Sequence, residues 1–492
     1  MAAATVVTLC FLAFSGADAT LRPPAQTLLD ASQGLDQVET EAYFQPESRR
    51  LTVRQTLRLV SRAGESWDSL VLRAWPNAYQ SVEHSPLATE GSYDVCYPDG
   101  FSSGSLVMEA ATADMGEGET AVRYRYTDAA KTVLSLPLPT AWLPGEVLTV
   151  SLRYTLTLPN ALSAFGVRDG VYAFGNALLL PAVWEDGAYR TDPFEPVGDP
   201  FVTDAVNFSV RLNVPAGAQC AASAWPAETT EEGDRLTYRF SAPAARDFAF
   251  VISDRFHLAQ AMEGDVLVAA YASTASAAKR ALSYLKSSLR VYSEKYGAYP
   301  YQSLTLAEAA LPYGGMEYPG LVMIGASLLQ PGADQEQLEY LVAHEAAHQW
   351  WYAVVGSDQY RQAWQDEALC ESSVLGYMEA VHGRAVRDRL YELNAAPSMR
   401  VTMPRGVTPG APLDAFASLS QYQTLVYNRG AAMLCALDMA MDGGLDGFLR
   451  AYYARFAFGR ATRQDFFDLL ANYTGEDFEP LMIDYLDTYM IP

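Results

Sequence analysis

Histidine is scarce in this chain, with five residues among 492. Chance clustering of imidazoles is correspondingly rare, so a cluster carries information. Basic residues are also in deficit, 34 Lys and Arg against 58 Asp and Glu, giving a net charge of −24. That balance argues against binding nucleic acid, whose phosphates need Lys and Arg. Only 19% of residues are charged and no long acidic run occurs, which excludes a disordered acidic tail and leaves a globular chain with an acidic surface. Long apolar runs are missing too: beyond the N-terminus no stretch reaches the ~20 apolar residues of a membrane helix, which excludes a multi-pass protein. The five cysteines are widely spaced and include no C-x-x-C, which argues against a thiolate metal cluster. Cys96, Cys220, Cys370 and Cys435 read as buried neutral thiols, with no disulfide pairing specified.

Half of the residues are apolar, enough for two or three domains each with a core. Residues Ala2–Gly16 are apolar and small, and Ala17-Asp18-Ala19 offers a cleavage site before Thr20. Residues 1–19 therefore read as a secretory signal, although no Lys or Arg precedes the apolar run. A secreted or cell-surface location follows from a signal, and a cytoplasmic one if the run is an ordinary buried segment. Asn207-Phe208-Ser209 and Asn472-Tyr473-Thr474 match glycosylation acceptors, a short pattern that usually goes unused.

From about Arg49 the chain alternates apolar and polar residues, as at Leu51, Val53, Leu57 and Leu59 and again from Leu148 to Leu158. Alternation of period two predicts half-buried strands, with others at Phe208–Val214 and Leu236–Phe240. Residues 20–256 read as one antiparallel β domain, a sandwich or saddle. The period then changes. Ala278, Leu282, Leu285, Leu289, Tyr292 and Tyr296 recur at helical spacing and open a second, mainly helical domain over 257–492. A short strand at Leu304–Ala307 leads to the loop Pro312–Gly320, followed by a strand at Val322–Ile324. Asp334 with Gln337 predicts an N-cap, Arg361–Val381 a further helix, and Thr462 with Asp465 a later capping pair. The class is α+β and multidomain.

Within the predicted helix that Asp334 caps lies His344-Glu345-Ala346-Ala347-His348. Residues i and i+4 share a helix face, so both imidazoles can grip one ion while Glu345 sits beside it. With this composition the pattern arises by accident in only about three chains per thousand. Glu367, after an interval of residues 349–366, lies on the next helix and supplies a carboxylate. Two imidazoles and one carboxylate are the ligands of hydrolytic zinc, which keeps a fourth position open. Glu345 would take a proton from the attacking water and hand it to a departing amine. The oxyanion formed meanwhile requires a neutral donor.

Gly314-Gly315-Met316-Glu317, His344-Glu345-x-x-His348, Trp364-x-x-Glu367 and Tyr427-Asn428-Arg429-Gly430-Ala431 together resemble the aminopeptidase N and leukotriene A4 hydrolase family of zinc gluzincins. The likeness runs weakly into the first half, through Asp199-Pro200 and Arg246-Asp247-Phe248-Ala249-Phe250. It implies an N-terminal β saddle before a thermolysin-like catalytic domain and one Zn²⁺ per chain. It also implies that Glu317 binds the free α-amine of a peptide substrate, that Gly314 and Gly315 hold its backbone, and that Tyr427 stabilises the oxyanion. Composition alone makes Tyr427 a core tyrosine.

Two departures stand out. Tyr318 occupies the place of the family's Asn, and the family's large C-terminal helical domain has no counterpart in this sequence, so a more open cavity is expected. The reading is a zinc aminopeptidase with catalytic Glu345 and Tyr427, substrate-binding Glu317, Gly314 and Gly315, and metal ligands His344, His348 and Glu367. Its rivals are an endopeptidase with the same machinery and an inactive zinc-binding recognition domain.

Overall fold

The alternating segments form strands whose buried and exposed residues follow the sequence period. In Arg50–Val60, Leu51, Val53, Leu57 and Leu59 are buried while Thr52, Arg54 and Arg58 are exposed. Gln55 falls on the buried face, and its side chain is satisfied there: Nε2 donates to the carbonyl of Leu179 at 3.0 Å and Oε1 accepts from Tyr154 Oη at 2.8 Å. A buried amide paired in this way avoids the cost of an unmet polar group.

The computed structural model describes residues 21–488 apart from 22, 62, 63, 65, 90, 313 and 403. The expected signal segment, with Cys10, lies outside the described residues. Two compact units emerge. The first comprises the chain to Phe194 with Ala205–Lys279 and Pro300–Gln330; the second comprises Glu195–Asp204, Arg280–Tyr299 and the chain from Pro331.

The largest sheet of the first unit has eight strands, in the order Glu228–Glu232, Arg235–Ala245, Val206–Pro215, Gln37–Gln45, Arg50–Val60, Val147–Thr157, Ser105–Asp114 and Thr120–Ala121. The sheet is not wholly antiparallel as the alternation suggested. Gln37–Gln45 pairs in parallel with Val206–Pro215, with Val38 opposite Phe208 and Ala42 opposite Leu212. Alternation fixes which face of a strand is buried and is silent about its neighbour.

Residues 257–325 add a five-stranded sheet to this unit, in the order His257–Glu263, Val266–Ala272, Ser303–Ala309, Leu321–Gly325 and Gly315–Met316. Its three central strands run parallel and every residue in them is buried. This accounts for the unbroken apolar runs Val266–Ala272 and Leu321–Gly325, since a parallel sheet is covered on both faces. The helix Ala275–Tyr296 connects two of these strands, as parallel pairing requires a long crossover.

The second unit is helical. Asp334 caps the helix Gln335–Ala347, its Oδ1 accepting from Glu336 N at 2.9 Å and Gln337 N at 3.2 Å. Trp364–His382 is the next long helix, and Thr462 with Asp465 forms a reciprocal capping box on Arg463–Thr474. Phe448, Tyr452 and Phe466 meet edge-on or tilted, with centroids 5.0–6.2 Å apart, and Trp350 and Trp351 pack against Tyr292 and Tyr296. Cys96, Cys220, Cys370 and Cys435 are free and buried. No helix among the described residues is long and apolar enough to cross a membrane.

Candidate active site

The two histidines stand at the end of their helix. His344 is in its last turn and His348 caps it with helical backbone angles, so the one-turn spacing survives and the rings lie 4.8 Å apart. After a compact connection the chain re-enters the helix Trp364–His382, whose first turn brings Glu367 to the imidazoles. The three donor atoms form a small triangle: His344 Nε2 to His348 Nε2 is 3.1 Å, His344 Nε2 to Glu367 Oε2 is 3.2 Å, and His348 Nε2 to Glu367 Oε2 is 3.4 Å. A tetrahedral ion with ligands at about 2.0–2.1 Å needs ligand separations of about 3.3 Å, which is the size of this triangle. All three side chains are buried.

The far nitrogens of the rings face carboxylates. His348 Nδ1 lies 2.5 Å from Asp366 Oδ1, whose other oxygen accepts from Gln359. His344 Nδ1 lies 3.2 Å from Glu371 Oε1, and Tyr340 donates to the other oxygen of Glu371. A carboxylate hydrogen-bonded to the far nitrogen, as Asp366 is at His348, fixes ring orientation and raises ligand basicity. His348, Asp366 and Cys370 also converge, but burial pushes the Cys370 thiol well above its ordinary range and keeps it neutral.

Electrostatics follow from these contacts. Burial raises the Glu367 carboxyl, but the hydrogen bonds of His344 and His348 outweigh it and bring it down to about 2. Burial lowers the His344 imidazole, while Glu367 and Glu371 carry it up to about 10. Glu345 moves the other way, pushed up to about 7 by burial against the pull of both histidines. Its Oε2 is buried and accepts no hydrogen bond among the described residues.

Tyr427 belongs to a π-helical turn, Gln423–Arg429, a distortion that often marks functional positions. Its ring stacks on His344, and its hydroxyl donates to Glu367 Oε1 at 2.5 Å. The following helix begins at Gly430, where a Cβ would meet the Cβ of Ala368 at 2.4 Å. Only glycine permits this approach to the Glu367 helix. Arg429 anchors the same turn by donating to the carbonyls of Ser398 and Val401.

Residues 280–485 match the Peptidase family M1 domain. That stretch of the chain carries a peptidase family M1 domain. Aminopeptidase N of Lactobacillus delbrueckii subsp. lactis is 23% identical over 367 residues, 70% of this chain and 42% of that protein. Aminopeptidase N of Lactobacillus helveticus is 28% identical over 242 residues, 45% of this chain and 28% of that protein. This chain thus spans less than half the length of either curated relative. The M1 zinc metallopeptidase from Deinococcus radiodurans has the same fold, with a TM-score of 0.64, 19% identity and coverage of 94% of this chain and 96% of that one.

The zinc that a peptidase family M1 domain implies fits the His344, His348 and Glu367 donors in kind, number and spacing. The other M1 motif, Gly314 to Glu317, lies in the first unit. Gly314 has φ 58°, its carbonyl accepts from Gly325 N at 2.9 Å, and Gly315 pairs with Ile324. Glu317 is buried beside Tyr318. His84 and His257 take no part in the metal cluster, and His382 lies 3.0 Å from Glu339. Sequence reasoning missed Asp366, whose signal was an acid next to a ligand. Asp199, quoted in the sequence only for the resemblance, has its carboxyl pushed up to about 8 by burial and then by Glu367 and Asp366.

Proposed function

We propose that this M1 chain is a secreted or cell-surface zinc aminopeptidase that hydrolyses the first peptide bond of peptides. The observation that carries the reading is the buried Glu345 carboxylate, open on one oxygen, beside the complete zinc donor set. Bound zinc supplies Lewis acidity toward the scissile carbonyl and toward water. Glu345 takes the proton of the attacking water and returns it to the leaving nitrogen, a task suited to a carboxyl raised to about 7. The Tyr427 hydroxyl, kept neutral by burial and by Glu367, donates to the carbonyl oxygen as it gains charge. Glu317 receives the protonated α-amine, and Gly314 and Gly315 leave room for the substrate backbone. Support for a free N-terminus comes from the aminopeptidase relatives and from a Deinococcus radiodurans M1 structure bound to a Tyr-Ser-Ala substrate, 18% identical with a TM-score of 0.64 over 93% of this chain.

Hydrolysis of amino acid p-nitroanilides tests the reading. Activity should disappear when the α-amine is acetylated, and equal cleavage of blocked and free substrates would sink it in favour of an endopeptidase. Recovery of a chain beginning at Thr20 from the medium of expressing cells is the matching test of export.

A further inference from the structure

Tyr318 follows Glu317 directly and is 1% exposed, its ring among the apolar side chains around Ala173, Val251 and Met323. Its hydroxyl donates to Oδ1 of Asn176 at 2.7 Å. The space exists because residue 175 is glycine: a Cβ there would lie 1.9 Å from the tyrosine oxygen. Asn176 has φ 48°, a left-handed conformation that asparagine tolerates better than most residues. Its main-chain N–H and its Nδ2 both donate to Oδ2 of Asp247 at 3.2 Å, and Oδ1 of the same carboxyl accepts from Phe248 N at 2.7 Å. Asp247 is itself buried.

These contacts bracket Glu317. Before it, Met316 sits in the sheet opposite Met323. After it, the hydroxyl of a buried tyrosine is tied through an asparagine to a buried carboxyl. A tyrosine needed only for packing would not require a glycine cleared for its oxygen and an asparagine held in a left-handed turn to meet it. Connected buried networks of this kind impose one geometry.

We propose that Tyr318, Asn176 and Asp247 are positioning residues that fix the main chain at Glu317, and with it the carboxylate that receives the substrate α-amine. The proposal rests on the aminopeptidase reading of Glu317. It turns the departure from the family's Asn into a different means of holding the same loop. Loss of the tyrosine hydroxyl should weaken recognition of the free N-terminus and leave bond cleavage alone.

The test is Tyr318→Phe in the full zinc-loaded chain. On an amino acid p-nitroanilide, KM should rise about tenfold while kcat stays within about twofold, since a small misplacement of a binding group is felt as lost orientation. Zinc content should be unchanged. A merely structural role would lower the melting temperature without separating KM from kcat. An unchanged KM, or a fall confined to kcat, overturns the proposal. Should Tyr318→Phe not fold, Asn176→Gly, which suits the left-handed backbone, keeps the main-chain N–H to Asp247 and removes the Oδ1 acceptor together with the Nδ2 donor, carries the same expectation and the same refutation. Two controls separate this idea from its premise. If the wild type cleaves acetylated substrate as well as free, or Glu317→Ala leaves KM unchanged, the aminopeptidase reading fails and the proposal with it. If both controls behave and Tyr318→Phe has no effect, only the positioning chain fails.

Discussion

Tyr427 donates its hydroxyl proton to Oε1 of Glu367 at 2.5 Å while its ring lies 11° from parallel with that of His344. One side chain thus touches two of the three proposed metal ligands. Replacing it by phenylalanine keeps the stack and removes only the donor. For Tyr427→Phe we expect kcat to fall about 10²–10³-fold, the usual cost of one oxyanion donor, with zinc retained. Metal analysis beside steady-state kinetics checks both halves.

Glu345→Gln should retain zinc and lose about 10²–10⁴-fold in kcat, because the amide has the shape of the carboxylate without its basicity. Removal of the metal with phenanthroline should abolish activity in the wild type, and added Zn²⁺ should restore it. Activity that survives in Glu345→Gln would overturn the assigned proton route.

Asp366 faces Nδ1 of His348, so it would act on a bound metal through that ring. Asp366→Ala should lower zinc affinity by about 10–100-fold. Competition against a chromophoric chelator measures it, and an unchanged dissociation constant would mean that the 2.5 Å contact with His348 does not contribute.

Burial raises the Asp247 carboxyl from 3.8 to about 7 despite its hydrogen bonds from Phe248 and Asn176. A carboxyl raised on folding contributes stability that is fully present below pH ~4 and is lost as pH climbs through ~7, at up to roughly 1.4 kcal/mol per unit. Asp247→Asn has no such proton to lose. Urea unfolding of wild type and variant from pH 5 to pH 8 should show the difference between them moving in the variant's favour as pH rises. A constant difference would show that Asp247 is ionised throughout.

Gly175→Ala places a methyl group 1.9 Å from the Tyr318 oxygen, so the ring or the turn must shift. We expect a loss of about 1–3 kcal/mol, the usual range for overpacking a filled core. Thermal unfolding of the variant beside the double variant Gly175→Ala, Tyr318→Phe checks the cause, since deleting the hydroxyl should recover part of the loss.

The parts legible in the sequence were those governed by local periodicity or by a spacing with chemical meaning. Alternation at Leu51–Leu59 located a half-buried strand, and the interval from His344 to His348 placed two imidazoles on one face. Asp334 and Thr462 announced the helices they cap. What escaped depends on contacts between distant segments. The hydrogen bond from Tyr318 to Asn176 spans 142 positions. Burial of Tyr318 could not be inferred from a turn-rich loop. By residue type Tyr427 was one aromatic among many, singled out only through the resemblance carried by Tyr427-Asn428-Arg429-Gly430-Ala431; its contact with Glu367 depends on the close approach at Gly430. Asp366 was visible as an acid, but which ring nitrogen it would meet is set by how two helices pack.

The parallel pairing of Gln37–Gln45 with Val206–Pro215 bears on how the chain acquires its fold during synthesis. Until residue 215 has left the ribosome, Gln37–Gln45 can be paired on one side only, by its hairpin partner Arg50–Val60. An open strand edge with Val38, Ala42 and Phe44 on one face is a template for pairing with other chains. Nascent or truncated chains ending before Val206 should therefore aggregate, whereas those reaching beyond Ala245 have the sequence to cover that edge and to flank the covering strand as well.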